Sequence, residues 1–481
     1  MIQPFDYQID AIKKLFSNNS SGSLLAAHAP GSGKTVTTCF AAKALFSVQS
    51  KKLKIVIATT VNTICQWKST LEEMLEKDVC ISVLRTLQDV MQCTKIRGIF
   101  IVSHGLLSLC ESYLLDGNEP CDLFSFRQSF DLFVVDEIHF ARNPATKLCR
   151  VLHRLAVCSK YRLGLTGTPI VNKANDLAGI SYAINCEAIF SNPKAWGRLK
   201  PKFANVDRFD KHMHRVDESF VCVPKYVTNV VNYDLLFSKV HSVQYNEMVS
   251  TLTSQARRLR SKVHTQEEAH TVLKNIIKIQ QFVVSPRLSE IGASNFDYSS
   301  YELKEILSKE PMASHNALCK EVEKSFKRDA SLLIFFAYQK ILHVMSHVLS
   351  MAFDGIQFFE YHGKLNSKDR NKNLANFMAS EERRILLLTV KSGGCGLDIG
   401  NKCSNIILFH STGYDFASRE QAIRRVVRIG KKNEVVVTDI YAKHTIEEGM
   451  HQLHSVKQNI ASVILDDDKK SLCDRTLRQT S

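Results

Sequence analysis

Residues 24–35 read LLAAHAPGSGKT, and this stretch decides the fold. An apolar β-run stops at Pro30-Gly31-Ser32-Gly33, and Lys34-Thr35 then opens a helical pattern. Glycines let backbone N–H groups wrap around a phosphate, and the N-terminus of the following helix adds the positive end of its dipole. The stretch therefore predicts a phosphate-binding loop that joins a buried parallel strand to a helix.

The residue types in this loop point to ATP and Mg²⁺ as its ligands. Lys34 would reach the β- and γ-phosphates, Thr35 would ligate Mg²⁺, and Gly31, Ser32 and Gly33 would surround the phosphates. A glycine usually stands six residues before the lysine, where this chain has His28. That departure is common in helicase-like ATPases and disfavours a kinase or a GTPase. The alternative is a glycine-rich turn that binds nothing.

A second group of polar residues follows two later strands. After the apolar strand at 132–135, Asp136 would hold Mg²⁺ through water, and Glu137 would orient or deprotonate the attacking water. His139 would couple this site to the rest of the protein or simply fill a polar pocket. Thr166 and Thr168, in the segment LTGTP, could relay the state of the γ-phosphate by hydrogen bonds.

The order of short apolar strands and helical stretches predicts an α/β fold with parallel sheets covered on both faces. We divide the chain into a nucleotide-binding lobe at 1–190, a helical insertion and linker at 191–310, a second lobe at 311–465 and a polar tail at 466–481. The predicted strands are 24–27, 54–58, 99–103, 132–135 and 162–165 in the first lobe, and 332–336, 356–361, 384–389, 405–409 and 435–441 in the second.

Composition narrows the class of protein. The chain has 63 Lys and Arg against 48 Asp and Glu, a net charge of +15, which favours a polyanionic partner such as nucleic acid. Its hydrophobic content of 44% excludes a disordered chain. Fourteen cysteines without a CxxC spacing indicate a reducing compartment and disfavour a zinc ribbon. We see no secretory signal and no apolar run long enough to span a membrane.

The second half carries a further basic motif. Arg425 and Arg428 are three residues apart, so on a helix they share one face and could act as arginine fingers on a γ-phosphate. The alternative is a solvated basic face. Residues 194–215 carry seven Lys and Arg against two Asp, with Trp196 and Phe203 between them, and could bind nucleic-acid phosphates.

Taken in order, these motifs resemble the Swi/Snf-type ATPases, the DNA-translocating branch of helicase superfamily two. The resemblance implies two RecA-like lobes, and duplex DNA, free or in nucleoprotein, as the partner; protein partners are unknown. It implies that Gln8 contacts adenine. Further coupling residues would be Gly394, Asp398 and Gln421, and phosphate contacts of DNA would be Thr59, Ser103, Lys364, Thr389 and Ser392.

The same resemblance implies a role in chromatin remodelling and transcription regulation in the nucleus. In its compact size the chain is similar to the global transactivators of baculoviruses, which implies a viral protein of the host nucleus. Two other functions stay open. One is a helicase that separates strands, and the other is a DNA-binding regulator of transcription whose ATPase is vestigial.

Overall fold

A computed structural model gives the structure of the chain. It describes residues 3–17, 22–48, 53–92, 97–115, 130–169, 176–186, 212–216, 226–235, 237–261, 266–286, 288, 313–393, 399, 402–410, 416–424, 426–427, 431 and 433–452. These residues form two compact units. The first contains everything described up to Val216, and the second runs from Tyr226 to Gln452.

The first unit is a seven-stranded sheet with helices on both faces. Its strands are β1 (Ser23–His28), β2 (Lys54–Thr59), β3 (Ile81–Leu84), β4 (Gly98–Ser103), β5 (Phe130–Val135), β6 (Ser159–Thr166) and β7 (Met213–Val216). Its helices are α1 (Asp6–Phe16), α2 (Lys34–Val48), α3 (Ile64–Met74), α4 (Leu87–Gln92), α5 (His104–Leu115), α6 (Lys147–Val157) and α7 (Asp176–Ala183), with short 3-10 turns at Val61–Thr63 and Ile138–Ala141.

The strand order β3-β4-β2-β5-β6-β1-β7 places the candidate site at one edge of this sheet. Every pairing in the sheet is parallel, so the carboxyl ends of all strands lie on the same side. Apolar cores cover both faces, which is why β1 and β4 are buried along their whole length. The loops after β1, β2, β5 and β6 therefore meet at one edge, where ligands of open α/β sheets bind.

The second unit is a six-stranded parallel sheet in the order β10-β11-β9-β12-β13-β8. Its strands are β8 (Tyr226–Tyr233), β9 (Ser331–Phe336), β10 (Gln357–Tyr361), β11 (Arg384–Thr389), β12 (Asn405–Phe409) and β13 (Val435–Ala442). Its helices are α8 (Lys239–Ser261), α9 (Gln266–Val284), α10 (Ala313–Phe326), α11 (Gln339–Ala352), α12 (Ser367–Ala379), α13 (Val390–Gly393) and α14 (Phe416–Ile423).

These two parallel sheets confirm the predicted α/β class with two RecA-like lobes, but the middle of the chain differs from the sequence-based division. Helices α8 and α9 lie where helices were predicted. However, β7 pairs with β1 of the first sheet, and β8 pairs with β13 of the second. Both are edge strands, and β8 alternates half-exposed and exposed residues. They lack the continuous apolar run that marks a buried parallel strand, so the prediction missed them.

No helix in the described ranges is long and apolar enough to cross a membrane.

Candidate nucleotide site

The loop after β1 has the backbone shape that a phosphate loop needs. Gly31 and Gly33 have φ angles of +84° and +76°, in the left-handed region that favours glycine. A Cβ on Gly33 would also come within 2.9 Å of Gln8 Nε2. Lys34 is the first residue of α2, and its ammonium donates hydrogen bonds to the carbonyls of His28 (3.1 Å) and Ala29 (3.4 Å). The predicted loop geometry is therefore present.

Side chains of helix α1 hold this loop by hydrogen bonds. The Gln8 amide is buried, and its Nε2 donates to the carbonyls of Ser32 (3.3 Å) and Gly33 (3.2 Å). Its Oε1 accepts from the backbone N–H of Phe5 at 3.0 Å, which caps the start of α1. The Tyr7 hydroxyl donates to the Ser32 carbonyl at 2.7 Å. The structure thus gives Gln8 a role in holding the loop, and its contact with adenine stays a prediction.

Asp136 lies directly after β5 and is held by three donors. Its Oδ2 accepts from Thr59 Oγ1 at 2.8 Å and from Trp67 Nε1 at 2.9 Å, and its Oδ1 accepts from the Glu137 N–H at 3.0 Å. Burial raises the pKa of Asp136, and the Glu137 charge adds to that rise. The Trp67 and Thr59 hydrogen bonds and the Lys34 charge oppose it. The carboxylate is therefore fixed in direction before any metal binds.

A series of close polar contacts connects the end of β5 to the end of β6. Glu137 takes the left-handed conformation at φ 48°, and its Oε2 is 3.3 Å from Nδ1 of the buried His139. The same nitrogen lies 3.0 Å from Thr166 Oγ1, which in turn accepts from the Thr168 N–H at 3.0 Å. A non-glycine residue in that conformation costs about 1–2 kcal/mol. The turn between β5 and the 3-10 helix holds Glu137 in this conformation.

The polar atoms of this edge fit a magnesium-bound triphosphate. Ser32 Oγ and Thr168 Oγ1 are buried and have no hydrogen-bond partner among the described residues. Thr35, the second residue of α2, is half-buried and follows the lysine. An unpartnered buried hydroxyl costs about 1–3 kcal/mol, so these groups favour a ligand that accepts or donates hydrogen bonds. Thr35 and Asp136 are the residues that would hold Mg²⁺.

Two residues of the site were not identified from the sequence. One is Trp67, whose buried indole donates to Asp136. His104 begins α5 directly after β4 and is fully buried. Burial lowers the pKa of His104 to about 4, against the opposing charge of Asp136, so the ring is neutral at pH 7. An aromatic or histidine next to a strand end gives no distinctive sequence signal.

Four of the five residues predicted to contact DNA are buried and hydrogen-bonded within the protein, and their contact with DNA stays a prediction. Thr59 is completely buried and donates to Asp136, and Ser103 Oγ accepts from the Leu106 N–H to cap α5. Thr389 and Ser392 are buried and bonded to each other, and Ser392 Oγ also donates to the Tyr361 carbonyl at 3.0 Å. These hydroxyls lie at the ends of strands, where backbone N–H and C=O groups that have no partner in the sheet need other hydrogen bonds. Lys364 is exposed, as a phosphate contact requires.

Several predicted residues lie outside the described part of the chain. They are Gly394, Asp398, Arg425 and Arg428, together with the side chain of Gln421. Of the basic stretch at 194–215, only residues 212–215 are described.

Comparison with known proteins assigns both halves of the chain. Residues 1–171 match the family model of the type III restriction enzyme res subunit, and residues 313–430 match the helicase conserved C-terminal domain. An uncharacterized ATP-dependent helicase of Mycoplasma pneumoniae is 24% identical over 96% of this chain and 42% of its own length. ATP-dependent helicase fft1 of Schizosaccharomyces pombe is 22% identical over 74% of this chain and 42% of its own.

The budding-yeast (Saccharomyces cerevisiae) ATP-dependent helicase FUN30 is 21% identical over 74% of this chain and 37% of its own length. The two domains occur here in the order that the sequence predicted. These matches support a Swi/Snf-like ATPase of helicase superfamily two.

The chain spans about two fifths of the length of these relatives. Among solved structures it is similar to the Sulfolobus solfataricus SWI2/SNF2 ATPase core in complex with double-stranded DNA. The identity is 18% over 97% of this chain and 96% of the other, with a TM-score of 0.38.

Proposed function

We propose that this chain is a DNA-dependent ATP hydrolase that couples turnover to translocation on duplex DNA or to remodelling of protein–DNA complexes. The observation that carries the proposal is the convergence of three groups at one sheet edge. Lys34 opens the helix after β1, Asp136 is fixed after β5, and Glu137 is joined through His139 to the end of β6. The family assignment supports the same chemistry.

In this proposal the first unit binds and cleaves the triphosphate. Backbone N–H groups of the loop and the Lys34 ammonium neutralise the phosphates, and Lys34 exchanges its contacts with loop carbonyls for contacts with the ligand. Mg²⁺, when bound, would neutralise charge on the phosphate oxygens. Glu137 would orient the attacking water and take its proton. Its place beside His139 would then let Thr166 and Thr168 sense the loss of the γ-phosphate.

We further propose that Arg425 and Arg428 supply positive charge that stabilises the negative charge developing on the γ-phosphate during transfer. Arginine fingers of this kind contribute about 10³–10⁵ in turnover. DNA would stimulate hydrolysis by favouring the arrangement in which the fingers engage, which is a shift of population between states. The net charge of +15 supports a polyanionic partner. The setting that fits this activity is the nucleus, where the chain would regulate transcription; in a virus it would be the host nucleus.

A reducing compartment fits the chain as well. In the described residues the thiols of Cys39, Cys149 and Cys403 are free and buried. Burial raises the pKa of Cys39 and Cys149 to about 12, so these two thiols stay protonated and unreactive at neutral pH.

Two substitutions test the hydrolase. Lys34→Ala should lower ATP turnover by about 10²–10³, because it removes a fixed cation from the phosphates. Glu137→Gln should keep ATP binding and lower turnover by about 10²–10⁴, because the amide cannot accept the proton of water. ATP binding is measured with a fluorescent nucleotide, and turnover by phosphate release.

Lys43→Ala is the matched control, since Lys43 lies on the same helix α2, facing the Phe40 ring rather than the loop. It should leave turnover unchanged. Retained turnover in both Lys34→Ala and Glu137→Gln would refute the assignment of this edge as the catalytic site and favour a DNA-binding regulator with no working ATPase. A strand-separating helicase is distinguished by displacement of a labelled strand, and a translocase by disruption of a triplex without displacement.

A further inference from the structure

The second unit contains a cluster of metal-ligand side chains that the nucleotide site does not use. His343 on α11, Glu360 on β10 and His362 just after β10 each offer one ligand atom, and these atoms all lie within 4.8 Å of one another. The side chain of His362 is 4% exposed, that of His343 16% and that of Glu360 28%. The cluster is therefore largely enclosed but still open to a small ion.

The distances within the cluster match the coordination sphere of a tetrahedral ion. Glu360 Oε2 lies 3.2 Å from His362 Nε2 and 3.7 Å from His343 Nδ1. With zinc–ligand bonds of about 2.0–2.1 Å, neighbouring ligands of a tetrahedral zinc are about 3.3–3.4 Å apart. The two measured separations fall on either side of that value. A small rotation of the three side chains would place them around one ion.

The outer nitrogens of both imidazoles share one partner. Gln339 Nε2 lies 3.1 Å from His343 Nε2 and 3.1 Å from His362 Nδ1, which are the ring nitrogens turned away from Glu360. Without metal, the amide can donate to both nitrogens while both rings donate to Glu360. With metal, each outer nitrogen carries a proton, and a half-turn of the amide makes Gln339 Oε1 the acceptor for both. Such outer contacts orient metal-binding histidines.

The charges around the cluster include both signs. Glu360 is the only carboxylate among the three residues, and its Oε2 faces a ring nitrogen of both His362 and His343. The Lys364 ammonium repels a cation, and Lys340 lies close to Lys364.

We propose that His343, Glu360 and His362 bind a divalent first-row transition cation, Zn²⁺ in the first place. Two imidazoles and one carboxylate suit zinc and leave a fourth position for water, whereas Mg²⁺ and Ca²⁺ prefer oxygen ligands alone. The ion would tie helix α11 to the carboxyl end of the edge strand β10. It would thereby fix the segment 361–364, which carries Lys364, the one predicted DNA contact that is exposed.

The test is a titration of the full chain, free of affinity tag and treated with chelator, with Co²⁺ and then Zn²⁺. One tetrahedral cobalt per chain should appear as strong visible absorption without a thiolate charge-transfer band, and Zn²⁺ should abolish it. His343→Ala and His362→Ala should each weaken binding by at least about 10-fold, and Gln339→Ala by about 10-fold or more. His343 is partly exposed, so His343→Ala should fold even if His362→Ala does not.

His270→Ala, which changes an exposed histidine on α9 of the same unit, is the matched control and should bind as the wild type does. The proposal is overturned if cobalt shows no tetrahedral spectrum, or if His343→Ala and Gln339→Ala bind with unchanged affinity. Either result would leave the ATPase proposal standing, because the three ligands lie in the second unit and take no part in the phosphate loop.

Discussion

Thr59→Val separates the structural role of Thr59 from a role in DNA binding. Valine has the same shape as threonine, so the change removes the hydroxyl without opening a cavity. Thr59 Oγ1 is completely buried, 2.8 Å from Asp136 Oδ2 and 2.6 Å from Thr63 Oγ1. A hydrogen bond to a charged group contributes about 1.5–3 kcal/mol. The free energy of unfolding at pH 7 should therefore fall by about that amount.

The same substitution should also weaken Mg²⁺ binding. Losing the Thr59 donor raises the pKa of Asp136 further, because burial and Glu137 already raise it and Thr59 opposes them. Each 1.4 kcal/mol that carries through to metal binding is a factor of about ten. With Trp67 still donating, we expect the Mg²⁺ concentration at half-maximal turnover to rise by about 3- to 10-fold. Guanidinium unfolding and a Mg²⁺ titration of phosphate release measure the two effects.

Thr60→Val is the matched control for this experiment. Thr60 is the next residue and is half-buried, and its hydroxyl contacts Thr63 at 2.9 Å rather than Asp136. It should change neither the Mg²⁺ dependence nor the stability by more than about 1 kcal/mol. The reasoning is wrong if Thr59→Val leaves stability and Mg²⁺ dependence intact and instead lowers the salt dependence of DNA binding, which is the signature of a lost phosphate contact.

Three other substitutions test separate parts of the fold. Burial, with the charges of His214 and Lys34, lowers the pKa of His28 from 6.5 to about 3, so the unfolded chain takes up a proton below pH 6.5 that the folded chain does not. The free energy of unfolding of the wild type should thus fall by about 2 kcal/mol between pH 6.5 and about pH 5 because of His28. His28→Asn should not show this fall when guanidinium unfolding is measured at the two pH values. Gly179→Ala should lower the free energy of unfolding by about 1–3 kcal/mol or more, and with it the melting temperature, because the added Cβ would come within 1.9 Å of the Arg142 carbonyl. Gly105→Ala is the control and should not lower the melting temperature, because its Cβ would meet nothing within 4 Å. Equal melting temperatures of the two variants would contradict the packing. Glu447→Ala should lower the free energy of unfolding by about 3–5 kcal/mol, because it leaves His410 buried without its carboxylate partner. Glu448→Ala is the control and should lower it by about 1 kcal/mol at most. Similar losses in the two variants would show that the buried pair is not formed.

The sequence alone predicts those parts of the fold whose pattern is local. The ten predicted strands are all present, and most of them are short buried runs between turn residues, as in β1 or β9, although β10 is mostly half-buried. Strand β3 was missed because its first three residues are only half-buried, and the edge strands β7 and β8 because they do not show a continuous apolar run. The prediction of a helical insertion at 191–310 did not include β7 and β8 for the same reason.

The candidate site shows a similar limit. The order of Lys34, Asp136 and Glu137 along the chain implied that they meet, since parallel strands bring their carboxyl ends to one edge. The hydrogen bonds from Thr59 and Trp67 to Asp136 depend on the register of β2 against β5, where Ala58 pairs with Val135. The sequence does not show whether a hydroxyl at the end of a strand points into the protein or toward solvent. Sequence could not decide between a contact with DNA and a contact with Asp136.

The most direct test of the central proposal is the rate of ATP hydrolysis by the wild-type chain with and without duplex DNA. We predict that duplex DNA raises turnover, that the stimulation falls with added salt as phosphate contacts are screened, and that Lys34→Ala abolishes it. Turnover that is the same with and without DNA, and unchanged in Lys34→Ala, would contradict the account of this chain as a DNA-driven ATPase.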